Sequence, residues 1–160
     1  MLADQTNGFA PGTRPSARLA PQIFHHSFPA DPLSVRAALQ TALNRFARQI
    51  TPEEAGTLEL VLAEVLNNIV EHGYRDREYG TIVLSIVRDR KGLSCSVSDD
   101  GITLPADCLH TRRNSPDRPS PTLLPEGGFG WFLIHDLADH FGYRRENNQN
   151  LLAFRLPLSG

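Results

Sequence analysis

EVLNNIVEH occupies Glu64–His72. Residues four apart on a helix lie nearly one above another. Glu64, Asn68 and His72 therefore form a ladder on one face, with Asn67 and Glu71 beside it. At about 100° per residue, Leu58, Leu62, Val65 and Ile69 gather on a different face. A polar ladder opposite an apolar stripe suits a solvated helix surface. Such a stripe is usually just that, but its chemistry also suits a site for hard ligands. Mg²⁺ takes one or two protein oxygens and fills its remaining positions with water and phosphate oxygens. The Asn68 amide oxygen can serve without adding negative charge. Glu64, one turn earlier, can accept a proton from an attacking hydroxyl or water. His72 can orient Glu64 or a ligand group, or simply pack near the helix end.

This helix has a clear beginning. Thr51 is its N-cap, Pro52 takes the first helical position, and Glu54 follows three residues after the cap, as in a capping box. Gly73 ends it. Upstream, QIFHHSF reads as a strand. Asp31 or Ser34 then caps a helix running to about Gln49, with Leu33, Ala37, Leu39, Leu43 and Phe46 as its apolar stripe. Residues 1–20 are rich in Gly, Pro and Ala and read as a flexible tail before a domain over 21–160.

Downstream, GTIVLSIVRD and GLSCSVSD read as a hairpin joined at DRKG. The second strand runs into VSDDGITLP. A carboxylate at a strand end can accept a hydrogen bond from a purine's exocyclic amine, and a nearby glycine lets the base approach the backbone. Asp99 and Gly101 fit those parts; an ordinary Asp-Asp-Gly turn is the other reading. An irregular stretch to Gly128 contains Pro105, Pro116, Pro119, Pro121 and Pro125, with Arg112, Arg113 and Arg118 among them. A loop this long is usually functional or disordered. EGGFGWFLIHDLADHFG follows as a glycine turn feeding a helix. Gly127, Gly128 and Gly130 there, with Phe129 between the last two, can present backbone N–H groups to a phosphate, or form a packing hinge under Trp131 and Phe132. The end, YRRENNQNLLAFRLPL, reads as a hairpin with a polar turn around Asn147–Asn150.

The order β, α, α, β, β, loop, α, β, β predicts an α+β fold. It is a two-layer α/β sandwich whose mixed, mainly antiparallel sheet carries helices on one face. The 160 residues suit one domain. The net charge of -2 gives no electrostatic footprint for nucleic acid. The sequence contains no apolar run near the roughly 18 residues of a membrane span, and its start lacks a signal-peptide core, so a cytoplasmic protein is expected. Cys95 and Cys108 read as reduced thiols.

Glu-x-x-x-Asn on a helix, Asp-x-Gly after a strand, and Gly-x-Gly opening a helix occur here in one order. Together they resemble the GHKL, or Bergerat-type, ATP-binding fold over roughly residues 22–158. The wording EVLNNIVEHGY, VSDDGITLP and EGGFGWFLIHDLAD is most similar to bacterial anti-sigma-factor serine/threonine kinases. The resemblance implies ATP and Mg²⁺ as cofactors, with Glu64 the general base, Asn68 the Mg²⁺ ligand, Asp99 the adenine-binding acid, and Gly128 and Gly130 phosphate-loop glycines. It implies phosphorylation of a serine on an anti-anti-sigma (STAS-type) partner and control of a sigma factor by partner switching, usually as a homodimer. A lid over about residues 105–127 would close on the nucleotide. Two positions depart from the family. Thr103 stands where a second glycine of the Asp box is usual, and LLAFRL has no hydroxyl to support the adenine site. Thr103 keeps open a regulatory binding module with weak or no catalysis. A simple ATPase, or the catalytic module of a split histidine kinase, is the remaining reading.

Overall fold

The computed structural model describes residues 20–105 and 128–159. In chain order the elements are β1 (Gln22–Pro29), α1 (Pro32–Phe46), α2 (Pro52–Gly73), β2 (Thr81–Arg88), β3 (Gly92–Asp99), α3 (Gly128–Leu137), β4 (Asp139–Glu146) and β5 (Gln149–Pro157). The strands form one sheet in the order β1-β2-β3-β5-β4. All four ladders are antiparallel, so the described sheet has no parallel component.

Both helix starts follow from local chemistry. Asp31 caps α1, its carboxylate accepting from the Ser34 N–H at 2.8 Å. At α2, Thr51 Oγ1 accepts from the Glu54 N–H at 3.2 Å, and Glu54 Oε2 accepts from the Thr51 N–H at 2.8 Å. That reciprocal pair satisfies two donors that no helical carbonyl can reach.

The sheet is apolar on one face. Phe24 lies opposite Ile86, which lies opposite Cys95, which lies opposite Phe154, and all four are buried. Leu84, Val97 and Leu152 make a second buried row across β2, β3 and β5. Against these rows pack Leu58, Leu62, Val65, Leu66 and Ile69 of α2, Phe46 of α1 and Ile134 of α3. The other face carries small residues such as Ser85, Ser94, Ser96 and Ala153. This is the expected two-layer sandwich.

Three local expectations are corrected. The buried stripe of α1 is Val35, Ala38, Ala42 and Phe46, while Leu33 is 79% exposed. Spacings of three and four from Val35 define that face, and Leu33 falls off it. The third helix stops at Leu137, because Asp139 already pairs with Arg155 of β5 across an irregular ladder with His140 at φ 52°. The last turn is two residues, Asn147 and Asn148 at φ 52° and 60°, the left-handed pair that a tight hairpin needs. Gln149 and Asn150 therefore belong to β5.

Candidate functional site

The C-terminal end of α2 meets the Asp-box turn after β3. The Gly73 carbonyl accepts from the Ile102 N–H at 3.0 Å. Gly101 lies directly against that carbonyl: a β-carbon on Gly101 would sit 2.7 Å from the Gly73 oxygen and 2.9 Å from Asp99 Oδ1. Only glycine permits this approach, which brings the first and second sequence boxes together.

Of the helix ladder, Asn68 is 5% exposed, so a wholly solvated face is ruled out for that residue. Glu64 and His72 are half-buried. The Asn68 Nδ2 has no hydrogen-bond partner among the described residues. A buried amide left unpaired is unusual and calls for a ligand or water. A half-turn about χ2 exchanges its nitrogen and oxygen, so the same position can offer an oxygen to a cation. Among the described residues no cluster of three or more His, Cys, Asp or Glu can hold a metal alone. A Mg²⁺ ion at Asn68 would thus need phosphate and water oxygens, which is its usual habit. The His72 ring lies 3.4 Å from an Arg75 nitrogen.

Asp99, 4% exposed, accepts at Oδ1 from the Gly101 N–H at 2.9 Å and from Asn150 Nδ2 at 2.9 Å. Burial raises its pKa above the ordinary 3.8, partly opposed by those two hydrogen bonds. The neighbouring Asp100 turns the other way. Its Oδ1 accepts from the Tyr74 hydroxyl at 2.5 Å and the Thr81 N–H at 3.0 Å, and its carbonyl accepts from Arg77 at 2.7 Å. The Tyr74 ring covers Gly80, where a β-carbon would collide with it. Asp100 is thus spent on holding the α2–β2 connection, and Asp99 faces inward.

Thr103 is exposed after this turn. Gly128, Phe129 and Gly130 form the first turn of α3, whose backbone N–H groups no helical carbonyl can reach. Residues 106–127, with most of the expected lid and its three arginines, lie outside the described residues, as do the 1–19 tail and Cys108. Cys95 is buried, and its thiol is pushed up to about 12, so it is inert. A groove of about 630 Å³ on the open sheet face, lined by Ser85, Ser94, Ser96 and Arg155, is reached by none of the motif residues.

Asn150, Tyr143 and Arg145 were not singled out by sequence reasoning. No hydroxyl stands in LLAFRL; the residue just before it, Asn150, is the one that reaches Asp99. Period-two alternation was the available signal, since Asn150 is in phase with buried Leu152, Phe154 and Leu156.

A profile described as "Histidine kinase-like ATPase domain" matches residues 28–156. "Blue-light-activated histidine kinase 2" of Erythrobacter litoralis is 34% identical over 129 residues, which cover 78% of this chain and 34% of that protein. "Serine-protein kinase RsbW" of Bacillus mycoides is 30% identical over 98 residues, 59% of each. The RsbW protein of Oceanobacillus iheyensis is 30% identical over 106 residues. The chain therefore spans a third of the length of the first relative and about six tenths of the second. Among solved structures, the Erythrobacter litoralis EL346 blue-light activated histidine kinase superposes with a TM-score of 0.51 at 23% identity, covering 78% of this chain and 41% of that one. That last likeness supports the fold. No described helix is long and apolar enough to cross a membrane. With 129 of its residues matched in one block, the chain belongs to the histidine kinase-like ATPase domain family, a membership that implies ATP binding.

Proposed function

We propose that this chain is an ATP·Mg²⁺-dependent anti-sigma-type serine/threonine kinase that phosphorylates a STAS-type anti-anti-sigma partner and controls a sigma factor by partner switching, working as a homodimer. The observation that supports the nucleotide half is the buried, unpartnered Asn68 amide on α2, the helix whose last residue, Gly73, packs against Asp99 and Gly101. The similarity to proteins named RsbW supports the serine-kinase half.

In this reading Asp99 accepts the adenine amine, Gly101 lets the base lie against the backbone, and Thr103 flanks the base where the chain leaves the Asp box. Backbone amides of Gly128, Phe129 and Gly130 hold the phosphates at the start of α3. Asn68 would ligate Mg²⁺, which supplies charge neutralisation for the phosphates when bound. His72 borders the same face. Glu64 takes the proton from the serine hydroxyl as its oxygen bonds to the γ-phosphorus and the bond to the departing ADP oxygen breaks. Such catalysis is mostly positioning and charge compensation.

Calorimetry with ATP·Mg²⁺ and a phosphotransfer assay with an anti-anti-sigma protein test this. Wild type binds and labels a serine; Glu64→Ala binds but does not label. Retained labelling removes Glu64 as the base, and absence of nucleotide binding removes the assignment altogether. Binding without transfer points instead to a regulatory module. The 34% identity to a histidine kinase favours a second reading, a catalytic module serving a histidine on another chain. Acid-labile rather than acid-stable phosphate on the acceptor would select it.

A further inference from the structure

Asn150 is 1% exposed and uses its whole hydrogen-bonding capacity. Its Nδ2 donates to Asp99 Oδ1 at 2.9 Å and to the Ile102 carbonyl at 2.8 Å, with a longer 3.4 Å contact to the Gly101 carbonyl. Its Oδ1 accepts from the Tyr143 hydroxyl at 2.6 Å and from Arg145 Nη1 at 2.8 Å. Arg145 Nη1 also donates to the Gly101 carbonyl at 3.0 Å, and the Leu104 N–H donates to the Tyr143 hydroxyl oxygen at 3.3 Å. The amide cannot flip. Exchanging its ends would set its oxygen against the Asp99 carboxylate and its nitrogen against the Arg145 guanidinium.

Both hydrogen bonds that Asp99 accepts from described residues fall on Oδ1. The carboxylate is thereby pinned in rotation, and Oδ2 is the oxygen left for an incoming donor. A carboxylate without Asn150 would keep only the Gly101 N–H and could turn Oδ1 or Oδ2 outward.

We propose that Asn150, held by Tyr143 and Arg145, is the positioning residue that aims Asp99 Oδ2 at the 6-amino group of a purine nucleotide and so sets the preference for a 6-aminopurine. The proposal rests on the reading that a purine nucleotide occupies this site. It assigns a role to the β4–β5 hairpin, which sequence motifs leave outside the site. The same clamp holds the carbonyls of Gly101 and Ile102, so the turn beside the base is fixed with the carboxylate.

The test is a cycle between the ligand's amine and the Asn150 side chain. Calorimetry with Mg²⁺ compares ATP with purine riboside triphosphate, which lacks the 6-amino group, on wild type, Asn150→Leu and Tyr143→Phe. Wild type favours ATP by about tenfold, as a hydrogen bond to a charged acceptor warrants. In Asn150→Leu that preference falls to within about twofold, because the amine no longer meets a fixed acceptor. Tyr143→Phe, which removes one donor to Asn150, lowers the preference part of the way. A structural defect alone would weaken both ligands equally and leave their ratio intact. An unchanged ratio in Asn150→Leu, with wild-type circular dichroism, overturns the proposal while leaving the nucleotide site standing. Should Asn150→Leu not fold, an unchanged ratio in Tyr143→Phe overturns it. If wild type binds neither nucleotide, the reading beneath it falls as well.

Discussion

Gly101→Ala should damage both stability and nucleotide binding, and Gly73→Ala should do much less. A β-carbon on Gly101 would lie 2.7 Å from the Gly73 oxygen, 2.9 Å from Asp99 Oδ1 and 3.0 Å from the Gly73 carbonyl carbon. Two of those three atoms are backbone, so no side-chain rotation relieves the collision. The turn must retreat, stretching the 3.0 Å bond from Ile102 N–H to the Gly73 carbonyl and swinging Asp99 off Asn150. At Gly73 the nearest atoms to an added β-carbon are 3.7, 3.8 and 4.0 Å away, which is ordinary contact. Overpacking of the first kind costs about 1–3 kcal/mol. For a chain of this size each kcal/mol lowers the melting temperature by about 2–4 °C, so Gly101→Ala should melt roughly 2–12 °C below wild type. Gly73→Ala should stay within about 2 °C. Thermal unfolding followed by circular dichroism, with ATP calorimetry beside it, measures both. Equal melting temperatures for the two variants, or undiminished ATP binding in Gly101→Ala, would refute the argument that this close approach joins the two boxes.

Asp99→Asn should lose ATP binding yet unfold no earlier than wild type at pH 7. Burial raises the Asp99 pKa above 3.8, so between that value and the folded-state value the native protein holds the extra proton. Stability therefore falls as pH rises through that window, and the ionised carboxylate remains a net cost above it. A melting temperature clearly lower in the variant at pH 7 would show that the sign is wrong. At the other end of α2, Thr51→Ala breaks one half of the capping box and should cost about 1 kcal/mol in denaturant unfolding with nucleotide affinity unchanged. A loss of affinity there would mean that the helix start and the site are coupled.

What the sequence made legible was whatever local rules govern. The capping box at Thr51 and Glu54, the apolar stripe from Leu58 to Ile69, and the β2–β3 hairpin each follow from residues within a few positions of one another. The candidate site was legible only in parts. Its three boxes carry their own chemistry, but no box states that Gly101 must touch Gly73, residues that lie on different elements. Asn150 was missed because a run of four polar residues reads as one turn. The two asparagines at positive φ turn the chain in two residues, which leaves the third and fourth in the strand. The phase of the strand then decides everything: a one-residue slip would have sent Asn150 to the open face and buried Leu151 in its place. The core rows Leu152, Phe154 and Leu156 forbid that slip, so apolar packing at one end of β5 fixes a buried polar group at the other. The chemistry of Asp99 is in this sense set from β5, by residues whose own business is the hydrophobic core.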